Sequence, residues 1–225
     1  MAETATARGG SRAALAGVVF GVLYLVAFII LGRIPDSEAS TETLESFYDS
    51  DGNRFAIQFA GAFVVPLAGI ALLWFTAAVR HRVASLATRE DQLLSTVQLL
   101  SAAVYVSMIF AATAVLTAPT IAVDSGTATA AEVATERPLV VVGDTILVVF
   151  ALRAAGVFIA AGATRAFRSG LIPRWFAIAS YVLVLVLLVT VARFRIVSLL
   201  FPVWVATMSL IVLLRRREAG AVASA

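Results

Sequence analysis

Six stretches of this chain, residues 13–31, 55–79, 93–116, 139–163, 176–192 and 196–214, run with almost no charge. Asp144 and Arg153 are the only ionised side chains in them. A bilayer core takes about 20 apolar residues in helix. Inside lipid every backbone N–H and C=O must find a partner within the fold, so an unbroken apolar run, without alternation, can cross only as a helix. The feature therefore predicts an all-α fold, a polytopic membrane helical bundle of six transmembrane helices. Only 14% of residues are charged and mean hydropathy is +0.98, whereas a soluble domain carries about 25% charge. The last two stretches read almost as one run, broken by "ARFR" at 192–195. We expect a hairpin there, because the unbroken run is about twice what one crossing needs. No polar stretch is long enough for a second domain. The expected layout is a tail at 1–12, one membrane domain at 13–214 and a tail at 215–225.

The arginines orient the bundle. With both termini inside, the inner segments carry Arg8, Arg12, Arg80, Arg82, Arg89, Arg165, Arg168, Arg174, Arg215, Arg216 and Arg217, and the outer segments Arg33, Arg54, Arg137, Arg193 and Arg195. The positive-inside rule then places the N and C termini in the cytoplasm. Trp74 and Trp175 fall near the inner interface. The first apolar stretch exceeds the usual apolar core of a cleaved leader and ends in "LGRIPDSE", without a small-x-small cleavage site. It is expected to remain as an anchor.

Composition removes several chemistries. The chain has no cysteine, and its single histidine, His81, lies in a polar loop. Thiolate chemistry, Cys or His metal clusters and an intramembrane Ser–His–Asp arrangement are unavailable. Asp144 has no second carboxylate in a span to share general acid–base work. "YDSDGNRF" glances at a calcium loop, but glycine comes fourth counting from Asp49 and the twelfth residue is Ala60. The EF-hand needs glycine sixth and a carboxylate twelfth. No enzyme activity, cofactor or metal is expected. The pI of about 9.9 follows from topology, and no nucleic-acid partner is expected.

Two outer loops have length. "RIPDSEASTETLESFYDSDGNR" is acidic, with Asp36, Glu38, Glu42, Glu45, Asp49 and Asp51. Ser40 or Thr41 is expected to cap a short helix laying Leu44, Phe47 and Tyr48 on the membrane surface. "TIAVDSGTATAAEVATERP" is expected to hold a turn or two of helix before Pro138. Small residues recur at four-residue spacing: Ala13, Gly17 and Gly21 on the first helix, Ala151/Ala155 and Gly156/Ala160 on the fourth. Such faces let helices approach closely, within the bundle or in a homo-oligomer. Pro66 and Pro202 each remove a backbone bond and predict a bend.

Arg153 is the residue that most demands a function. It lies near the middle of the fourth stretch, where an arginine costs at least about 2.5–3.5 kcal/mol on insertion scales, and it cannot shed its charge. Asp144 is nine residues away, about 13.5 Å of rise and half a turn, so the two point to opposite faces. Neutral acceptors at mid-depth are Tyr105, Thr113, Thr207 and the carbonyl of Ala62 freed by Pro66. Arg153 then either ties helices together or attracts an anion or lipid headgroup. Asp144 is expected to meet Gln58, Arg54, Arg193 or Arg195 near the outer surface.

All 17 basic residues are arginine, as a GC-rich bacterial genome would encode. "FYDSDGNRFAIQFAGAFVVPLAGIALLWFTAAVR" and "LIPRWFAIASYVLVL" resemble a broad group of actinobacterial six-helix integral membrane proteins without an assigned activity. The resemblance implies the fold and no function. The expectation is a multi-pass protein of the bacterial plasma membrane. Its leading role is that of a non-enzymatic accessory or assembly protein of the cell envelope, whose acidic outer loop meets a protein partner. The alternative is a small transporter or channel for an anionic or amphipathic solute, with Arg153 in its cavity.

Overall fold

A computed structural model describes the backbone of residues 2–86, 91–135, 137–189 and 195–222, and the side chains of 15–84, 91–135, 137–189 and 195–214. The described residues are helical, with no strand among them. Helix α1 is Ala2–Leu31, α2 Thr41–Asp49 and α3 Asp51–Phe59. A π segment, Ala60–Val64, leads into α4, Val65–Leu86. Next come α5, Gln92–Asp124; α6, Ala130–Val133; and α7, Arg137–Thr145. A second π segment, Ile146–Ala151, joins α7 to α8, Leu152–Arg168. Then come α9, Arg174–Val189, and a 3₁₀ turn, Arg195–Leu199, that opens α10, Leu200–Val222.

Four helical stretches are long and apolar enough to cross a bilayer: Asp51–Ala84, Gln92–Asp124, Arg137–Arg168 and Arg195–Leu214. Two shorter apolar helices, Leu15–Leu31 and Arg174–Val189, accompany them. Helix α1 packs between α4 and α10, α5 between α4 and α8, and α9 against α8. The small-residue face of α1 is used inside the bundle. A Cβ on Gly17 would lie 1.9 Å from Ser209 Oγ and 2.7 Å from the Phe75 ring, and one on Gly21 would lie 3.3 Å from Ala206 Cβ. Ala151, at the end of the second π segment, and Ala155 of α8 are buried, and Gly156 of α8 faces Leu187 and Leu188 of α9.

Both prolines reshape the backbone, in different ways. Pro66 has no N–H, and the ladder before it widens into the π segment, where Val65 N donates to Ala60 O. Pro202 is the third residue of α10, directly after the 3₁₀ turn Arg195–Leu199, so the change of helix type falls beside the proline. The 3₁₀ turn precedes it in place of a mid-helix kink. The "ARFR" hairpin lies mostly outside the described residues. On either side of it, Trp204 Nε1 of α10 donates to Ser180 Oγ of α9 at 2.8 Å.

A column of aromatic rings links the helices at the centre. Tyr24 and Phe20 of α1 lead to Phe201 of α10, then Phe158 of α8, Trp204 of α10 and Phe176 of α9, with ring centres 5.5–6.1 Å apart. Tyr105 of α5 joins it 4.5 Å from Phe201.

One end of the bundle carries a folded cap. Ser40 accepts from Thr43 N and starts α2, and Thr129 and Glu132 form a reciprocal capping box on α6. That box holds the Glu132 carboxylate below its usual range, through the Thr129 backbone N–H first and its hydroxyl second. Leu44, Phe47 and Tyr48 do not lie on the membrane surface as the amphipathic pattern predicted. They are buried against Ile34, Ile57, Leu116, Val133 and Val140 in a second core of the protein itself.

Candidate functional site

Below the cap, α1, α4 and α5 leave a gap between them, because the residues that meet there include Ala27, Ala68 and Ala112. The result is a cavity of about 50 Å³, bordered also by Tyr24, Leu31, Val65, Ile109, Thr113, Leu116 and Leu147, with Arg195 at its cap end. Both π segments adjoin it. Val65 follows the first and Leu147 lies in the second. A π turn inserts a residue into the helical ladder and changes the angle at which the next side chains leave the helix; such turns are frequent at functional sites.

Arg195 is the polar element. Its Nε donates to Asp144 Oδ1 at 2.7 Å and its Nη1 to the Leu31 carbonyl at 3.3 Å. Its Nη2 is buried without an acceptor among the described residues. Asp144 neutralises the guanidinium, so the cap end of the cavity has an N–H donor to spare but no net charge.

Arg54 and Gln58 meet a different carboxylate. Arg54 pairs with Asp51 and with Asp124, and donates to the carbonyls of Tyr48 at 2.7 Å and Asp49 at 2.8 Å. Gln58 Nε2 donates to Asp124 Oδ2 at 2.6 Å and to the Thr120 carbonyl at 3.1 Å. Helix α5 makes this possible by continuing beyond residue 116, through Pro119, to Asp124. The polar residues at the cap end thus divide into two groups, Arg54–Gln58–Asp124 and Arg195–Asp144, and the two acids do not converge. Arg193 lies outside the described residues. Arg137 ties down the cap, donating to the Ser37 carbonyl at 3.0 Å and to Thr41 Oγ1 at 3.1 Å.

Arg153 is half-buried, and its Nη1 donates to the Val149 carbonyl of its own helix at 2.6 Å. The acceptor lies in the second π segment, one turn back on the same helix. The neutral groups proposed as its partners lie elsewhere. Tyr105 is in the aromatic column. Thr113 Oγ1 donates to the Ile109 carbonyl at 2.7 Å, and Thr207 Oγ1 to the Val203 carbonyl at 2.8 Å. Both threonines take the acceptor one turn back, the usual resort of a hydroxyl in an apolar helix. Arg153 therefore holds a local bond. Arg153→Ala is expected to cost less than the roughly 1.5–3 kcal/mol of a bond from a charged donor, because it also removes the cost of placing a cation at that depth, and to melt in mild detergent close to the wild type. A large fall in melting temperature would show that the guanidinium joins separate helices.

Sequence reasoning missed a buried polar pair at the other, arginine-rich end. Arg165 is 3% exposed and Gln98 1%, and Arg165 Nη1 donates to Gln98 Oε1 at 2.7 Å. Nearby, Arg80 Nε donates to Ser95 Oγ at 2.8 Å and Arg168 Nη1 to Asp91 Oδ2 at 3.1 Å. By its place in the sequence Arg165 reads as one more loop arginine. The available signal was its distance of three residues from Gly162, on a face where a Cβ would stand 2.8 Å from Gln98 Nε2.

Comparison with known proteins returns no matching family model, curated protein or solved structure.

Proposed function

We propose that the chain is a six-span protein of a bacterial plasma membrane, with both termini in the cytoplasm. Its role is that of a non-enzymatic accessory or assembly protein, presenting the folded cap to a basic partner outside the membrane. The shorter apolar helices, Leu15–Leu31 and Arg174–Val189, complete the six spans. Exposed Trp74 and Trp175 serve as anchors at the cytoplasmic interface. The observation that carries the reading is the cap. Its apolar face is consumed in a protein core, leaving Asp36, Glu38, Glu42, Glu45 and Asp49 exposed together on a rigid support. Such a surface is repelled by anionic headgroups and is complementary to a basic protein segment. Transport of an amphipathic solute is the second reading; the cavity at Arg195, rather than Arg153, favours it.

The cysteine-free sequence makes the test direct. A single Glu45→Cys is expected to react with an impermeant maleimide in intact cells, and Ser169→Cys only after permeabilisation. A crosslinker on the Glu45→Cys thiol is expected to trap one basic protein, and the adduct should disappear when Glu42→Lys and Asp49→Lys are added. Reaction of Ser169→Cys in intact cells sinks the topology. An adduct that survives the charge reversals sinks the role of the acidic surface.

A further inference from the structure

We infer that the cavity between α1, α4 and α5 holds the carbonyl-proximal methylenes of one acyl chain of a membrane lipid, whose ester carbonyl accepts the spare N–H of Arg195. The shape argues first. The lining follows α1 from Leu31 to Tyr24 and α5 from Leu116 to Ile109, seven residue steps in each case and about 10 Å of helix rise. The site is therefore elongated along the helices, as an extended chain in a leaflet lies.

The chemistry argues next. A volume of about 50 Å³ would admit several waters at roughly 10–15 Å³ each, but each water needs two to four polar partners. The walls supply Arg195 Nη2 at one end, Thr113, whose hydroxyl proton is already committed to the Ile109 carbonyl, and Tyr24, whose hydroxyl is engaged by those of Ser198 and Tyr105. Leucine, isoleucine, valine and alanine make up most of the remainder, and apolar cavities of this kind stay dry and take apolar guests. The guest must also bring one acceptor for Nη2. Because Asp144 sits 2.7 Å from Arg195 Nε, a full negative charge on the guest would face that carboxylate at close range, and a neutral carbonyl would not. In the sequence Arg195 also falls between the apolar runs 176–192 and 196–214, the depth at which a glycerol ester meets the hydrocarbon. The two π segments, which bring Val65 and Leu147 to the walls, are a separate structural pointer to the same place. The inference needs only a membrane-embedded bundle and is independent of the acidic cap.

The test uses the full chain in vesicles of phosphatidylglycerol and phosphatidylethanolamine containing a trace of phosphatidylethanolamine with a diazirine on its acyl chain. After irradiation, label is expected on the peptides that hold Ile109 and Leu147. Ala112→Leu fills the cavity and should reduce that label at least fivefold, with label at lipid-facing Phe63 unchanged and the melting temperature held or raised. If Ala112→Leu fails to fold, Ala68→Val carries the same expectation. An ether-linked diazirine lipid, which lacks the carbonyl, should label Ile109 and Leu147 at least threefold less than the ester. Undiminished label in the filled variants, or no label at these residues in the wild type, overturns the acyl site. Equal labelling by ether and ester lipids overturns the role given to Arg195.

Discussion

Phe201→Ala is expected to destabilise the bundle by about 3 kcal/mol or more, read as a lower melting temperature in mild detergent. Between helices in lipid the hydrophobic effect contributes little, because the alternative environment is equally apolar. Association rests on close packing and on the few buried hydrogen bonds. Phe201 is where that packing concentrates. It is 0% exposed, and its ring lies 5.8 Å from that of Phe20, 4.5 Å from Tyr105 and 5.5 Å from Phe158. One side chain thus joins α10 to α1, α5 and α8. Truncation removes its dispersion contacts with all three and leaves a void that helices anchored at both ends close only in part. Val203, two residues away and 61% exposed, is the control. Val203→Ala should be almost neutral. If the two variants melt together, the aromatic column does not hold the bundle.

The second large effect is expected at Gly17. A Cβ there would stand 1.9 Å from Ser209 Oγ and 2.7 Å from Cδ2 of Phe75, closer than non-bonded atoms can approach. The serine can rotate, but the ring of Phe75 is buried with it in the core. Gly17→Val therefore forces α1 away from α4 and α10, the two helices it packs between. The cost is expected at about 3 kcal/mol, the upper part of the usual range for overpacking, with loss of protein from the membrane during expression. Adding Ser209→Gly should recover part of the melting temperature, because it removes the nearer obstacle and leaves the ring. Val22→Ala on the exposed face of α1 should change little. A Gly17→Val protein as stable as wild type would show that α1 does not contact α4 and α10 as described.

Much of this architecture is legible in the sequence, because its causes are local. Long apolar runs become helices wherever they are buried, since the backbone must satisfy itself. The Gly17/Gly21 face signals close approach because a missing Cβ is a property of the residue alone. Ser40 ahead of "TETLESFYD" starts a helix by its own side-chain bond to Thr43 N.

What the sequence left open depends on how separate helices are rotated and how far they extend. Asp144 had several cations within reach by depth, and only the packed bundle assigns it Arg195 while sending Arg54 and Gln58 to Asp124. Arg153 looked stranded because no carboxylate shares its depth; the guanidinium turns back instead onto Val149 of its own helix. The amphipathic pattern of α2 required that Leu44, Phe47 and Tyr48 leave water, but lipid and a protein core are equally apolar. Pattern alone could not tell the two apart; the packing of α2 against α6 and the ends of α3 and α5 decided it.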